Sequence, residues 1–113
     1  MATRAPLPEA DWKAFRKLRE IALDRFCRRI LDELDTLRRD DSKSAHERYL
    51  AVYRHLRDRD DHLGRAFDDP RRSRMLPQLA VILALDLLEP AELSRLSEPT
   101  RTDAQALARH NIL

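Results

Sequence analysis

The sequence predicts an all-α domain, a small helical bundle in which an antiparallel helical hairpin packs on an apolar central helix and short C-terminal helices close one side. Three observations predict it. Apolar residues recur at threes and fours along most of the chain, while no alternating strand pattern appears. Ser44-Ala45-His46-Glu47 has the spacing of a capping box and divides one long periodic stretch from the next. At 113 residues, 42% of them hydrophobic, the chain can fill one core and has no length for two.

The first element is expected from Asp11 to about Arg39, where Trp12, Phe15, Leu23, Phe26, Ile30, Leu34 and Leu37 form one stripe. Residues 1–10, with Pro6 and Pro8, read as a flexible N-terminal arm ahead of a single helical domain at 11–113. Opposite charges four apart, such as Asp24 with Arg28, lace the outer face of the first helix. The second helix starts at the Ser44 capping box and carries Tyr49, Val52, Tyr53, Leu56, Leu63 and Phe67 as the stripe expected to face the first. Asp69-Pro70 suits a helix start, and Pro77 demands a break before a central helix running to about Leu88. Short helices are expected at Ala91–Leu96, behind Pro90, and at Ala104–Arg109, behind a second capping box of Thr102 with Gln105.

Composition excludes several chemistries. One glycine leaves no Gly-rich phosphate loop, and one cysteine, Cys27, leaves neither an internal disulfide nor a Cys-based zinc site. A reducing, cytoplasmic compartment is expected. The 22 basic and 20 acidic residues nearly cancel, so the net charge of +2 provides no global footprint for nucleic acid. The apolar run from Leu79 to Leu85 is far short of the roughly 20 residues a bilayer span requires, and no membrane partner is expected.

A few residues stand out. Asp60 falls in the apolar stripe of the second helix and Arg19 in that of the first, so an antiparallel hairpin would bring them together as a structural ion pair that fixes register. His55, Asp58 and His62 share one face of the second helix, but the two histidines lie about 10.5 Å apart along the axis, too far to share one zinc. Neither metal nor cofactor is called for. Cys27, beside Phe26, reads as a small buried hydrophobe. Arg71, Arg72 and Arg74 form the one dense basic cluster after a helix start, a candidate anion or nucleic-acid patch, although Asp68 and Asp69 adjoin it and no aromatic residue is interleaved.

The function these features favour is that of a non-enzymatic module acting through a protein partner or itself, with a homodimer covering apolar surface left by the central helix. The alternative is a nucleic-acid-binding accessory factor using Arg71, Arg72 and Arg74. An enzyme using Asp60 and a histidine is the weakest reading, because no catalytic constellation accompanies them.

Overall fold

The computed structural model describes residues 7–110, 112 and 113, an elongated body of 56 × 30 × 23 Å. Of the arm expected at 1–10, residues 1–6 lie outside the described residues, and Glu9 and Ala10 already belong to the first helix. The described residues form five helices and no strand: α1 (Glu9–Arg38), α2 (Ala45–Phe67), α3 (Met75–Ala84), α4 (Pro90–Leu93) and α5 (Glu98–Ala108).

The hairpin of α1 and α2 is held by long-range bonds that run down the pair in reversed order. Arg48 donates to the carbonyl of Arg38 at the turn, Arg59 reaches Glu33 midway, and Arg19 donates to the carbonyl of Phe67 at the far end. The capping box that starts α2 is present, with Ser44 Oγ accepting from the Glu47 amide and Glu47 accepting from that of Ser44.

The core lies at one end of this hairpin. Phe15, Leu18, Ala22 and Phe26 of α1 meet Ala66 and Phe67 of α2, Met75, Leu79 and Ile82 of α3, and Leu96 and Ala104. Burying each of the larger side chains contributes about 1.5–3 kcal/mol. Lengths explain the lopsidedness. At about 1.5 Å per residue, the 30 residues of α1 extend about 45 Å and the 10 of α3 only about 15 Å, so the second layer covers part of the hairpin and stops.

The segment around α3 departs from expectation in three ways. No helix opens at Asp69-Pro70; Asp69 takes a left-handed φ of 48°, a 3₁₀ turn occupies Arg72–Arg74, and α3 begins at Met75 with Pro77 in its first turn, where a missing amide proton breaks no bond. The helix also ends at Ala84 rather than about Leu88. Asp86 turns left-handed (φ 56°), and the amides of Asp86 and Leu87 bond back to the carbonyls of Leu83 and Ile82, a Schellman stop built without glycine. The carbonyls beyond it are taken by α1: Arg29 donates to those of Leu85 (2.5 Å) and Asp86 (2.9 Å), and Arg25 to that of Leu87 (3.0 Å). Finally, α3 is covered. Met75, Leu76 and Leu79 to Ile82 are buried, with Leu93, Leu107 and Ile112 packed against the core. The uncovered apolar face expected on the central helix is therefore not there.

The C-terminal helices are shifted as well. α4 starts with Pro90 in its first turn, as expected, but ends at Leu93 rather than Leu96, and α5 starts at Glu98, six residues before Ala104, with Thr102 inside the helix. The cause is Asp11, only 3% exposed, which accepts from the Ser97 amide (2.8 Å), the Ser97 hydroxyl (2.6 Å) and the Thr100 hydroxyl (2.6 Å). An acidic group from α1 thus anchors the first turn of α5. Burial acts to raise the Asp11 pKa, but the hydrogen bonds from Ser97 and Thr100 outweigh it and hold the carboxyl below its ordinary value.

Candidate protein-interaction surface

Tyr49, Tyr53 and Leu56 fall on one face of α2 and continue, through Asp60, into Leu63 and Phe67. That is the stripe expected to meet α1. Its far half does not: Tyr49 is 66% exposed, Tyr53 52% and Leu56 47%. Leu63 and Phe67 join the core, whereas the three residues nearer the turn extend past the point where α3 stops.

The rotation of α2 about its axis explains the exposure. The face turned to α1 is polar and lies about a quarter turn away, on residues such as Arg48, His55 and Arg59. Glu33 of α1 is its hub. Its carboxylate accepts from Arg59 through both Nε (3.0 Å) and Nη2 (2.6 Å), and Nε2 of His55 lies 3.1 Å from Oε1. The Arg59 guanidinium also sits over the Phe26 ring, 5.7 Å from its centroid. Burial pushes the Glu33 pKa up, and the bonds from Arg59 and His55 more than reverse this, so its carboxyl ionises below the ordinary range. A two-pronged arginine–carboxylate contact is directional as well as strong, and it fixes α2 with its aromatic stripe turned outward.

The other candidate residues separate. Arg19 and Asp60 do not pair. Arg19 donates to the Phe67 carbonyl at 2.6 Å and lies over the Phe67 ring, while Asp60 is exposed. The expected ion pair fails because the outward rotation of α2 carries Asp60 into solvent. His55 faces Glu33 and His62 is half-buried, whereas Asp58 is exposed, and among the described residues no group of three His, Cys, Asp or Glu side chains could hold a metal ion. Cys27 is half-buried. Each arginine of the basic cluster meets a carboxylate: Arg71 and Arg74 share Asp69 (2.9 and 3.5 Å), and Arg72 meets Glu9. A phosphate would have to compete with those partners.

Beside the stripe, a shallow depression of about 290 Å³ is lined by Arg38, Ala45, Arg48, Tyr49 and Val52. No helix among the described residues is long and apolar enough to cross a membrane. Periodicity identified the stripe but assigned it to the hairpin interior. The signal that could have corrected this is Glu33, which at its position in the α1 stripe needs a cation on the facing helix, and Arg59 lies on a different face from Tyr53. No protein-family model, curated protein or solved structure matches the chain.

Proposed function

We propose that this protein is a non-enzymatic interaction or oligomerisation module that binds a protein partner through the exposed face of α2. The observation that carries the reading is the row of Tyr49, Tyr53 and Leu56 on a hairpin arm that outruns its own core. Large apolar side chains aligned on one helix, rimmed by charge, are what a docking helix presents. Tyrosine suits such a face, because its ring contributes contact area while its hydroxyl stays wet until a partner arrives.

The test compares wild-type chain with Tyr53→Glu as bait and reads captured proteins, this chain included, by mass spectrometry. Because Tyr53 is exposed, the variant keeps the wild-type helical circular dichroism. The reading expects at least one protein captured by the wild type and lost with the variant; identical capture by both baits refutes it.

A further inference from the structure

The partner that best fits this face is a second copy of the chain; we infer that α2 pairs antiparallel with α2 of that copy about a twofold axis through Tyr53. The inference rests on the interaction reading above and goes further, naming the occupant and its register.

Charge carries the argument. Along the hairpin most arginines are engaged: Arg25 with Glu92, Arg28 with Asp24, Arg39 with Asp35, Arg59 with Glu33 and Arg65 with Asp61. His46, Arg57 and Asp60, by contrast, form no ion pair or side-chain hydrogen bond among the described residues. At about 100° per residue these three and the two tyrosines fall within one arc of about 80°, with Tyr53 at its centre. When Tyr53 of one copy faces Tyr53 of the other in an antiparallel pair, residues seven before and seven after it come opposite one another. His46 then faces Asp60 of the second copy. Residues four before and four after also meet, so Tyr49 lies against the Arg57 guanidinium, and both of these off-axis contacts occur twice.

Length gives the same register independently. α2 begins at Ala45, and its stripe enters the core at Leu63, so the free stretch is 45–62 and its midpoint falls between residues 53 and 54. A second α2 centred near Tyr53 would lie along the stretch that α3 leaves uncovered. The anomalous Asp60, exposed in a stripe of apolar residues, becomes the partner of a histidine that is otherwise unused. The contact is a single helix face, smaller than the roughly 800 Å² per partner of a standard interface, so dimerisation should be in the micromolar range.

Sedimentation of the full chain from about 1 µM to about 1 mM spans that range. The expected result is a reversible monomer–dimer equilibrium, weakened about five- to tenfold by Asp60→Arg and restored by combining it with His46→Glu. In a Cys27→Ser background, Tyr53→Cys should crosslink to itself on mild oxidation, because residues on the axis reach disulfide distance, and Leu31→Cys on α1, more exposed at 65% against 52%, should not. A monomer at all concentrations, or Tyr53→Cys crosslinking no faster than Leu31→Cys, overturns the second copy. If capture of a different protein still depends on Tyr53, only the identity of the partner is wrong; if nothing depends on Tyr53, the interaction reading falls as well.

Discussion

Replacing Glu33 with Gln tests whether the polar seam sets the rotation of α2. The substitution keeps shape and removes charge, leaving one acceptor oxygen and an amide that points donors at Arg59 or His55. Hydrogen bonds to charged groups contribute about 1.5–3 kcal/mol, and exposed ion pairs about 0.2–1 kcal/mol. With 29% of the Glu33 side chain and 20% of Arg59 exposed, the loss should lie near the lower end of the first range, about 1.5–2 kcal/mol. At this chain length about 1 kcal/mol moves Tm by about 4 °C, so thermal unfolding followed by circular dichroism should shift down by about 6–8 °C. The pH dependence has a definite sign. Because the folded Glu33 carboxyl ionises below its ordinary value, its contribution is present in full above the unfolded pKa and disappears as pH falls through the folded one. The gap between wild type and Glu33→Gln should therefore close on acidification. A double-mutant cycle of Glu33→Ala with Arg59→Ala gives the coupling directly; a value below about 0.3 kcal/mol would refute the seam as the element that orients α2.

Four further outcomes follow from the fold. Asp11→Ala should cost about 2–4 kcal/mol in chemical denaturation, since it leaves the partly buried Ser97 amide and hydroxyl and the buried Thr100 hydroxyl without their Asp11 acceptor, and this contribution too should fade as pH drops below the ordinary Asp range. Asp60→Ala should leave monomer stability within about 0.5 kcal/mol of wild type, and a larger loss in dilute solution would show that Asp60 has an intramolecular partner after all. Asp86→Gly should be neutral or stabilising by up to about 1 kcal/mol, because its left-handed φ of 56° suits glycine; clear destabilisation would mean that the Asp86 side chain contributes a contact. Pro77→Ala should be tolerated, whereas Ala80→Pro, in the middle of α3, should cost about 3 kcal/mol or more, with equal Tm values for the two variants contradicting the assigned helix start.

The elements that depend on neighbours in sequence could be read from the sequence, and those fixed by distant side chains could not. The Ser44 capping box marked the start of α2 because both of its bonds lie within four residues. The apolar run past Ala84 looked like continuing helix, and what stops it includes Arg25 and Arg29, 56 to 62 residues away. The start of α5 falls at Glu98, six residues before the Ala104 expected from the sequence, for the same reason, since the acceptor of Ser97 is Asp11. For the candidate site, spacing correctly grouped Tyr49, Tyr53 and Leu56 on one face. It assigned that face to the wrong neighbour, because a period states which residues lie together and says nothing of which way the helix is turned. The turn is decided by charge on the other helix.

The arginines of α1 that receive the end of α3 also constrain the order in which the molecule can be assembled. During synthesis α1 emerges first, and Arg25 and Arg29 stay hydrated until Leu85, Asp86 and Leu87 have left the ribosome. Asp11 likewise waits for Ser97 and Thr100, 86 and 89 residues later. A nascent chain that ends within α3 therefore has a hairpin with neither clasp closed and its apolar core side facing water. Ribosome-bound chains truncated near residue 90 should accordingly be cut readily by protease, and resistance should appear only once α5 is complete and free of the exit tunnel.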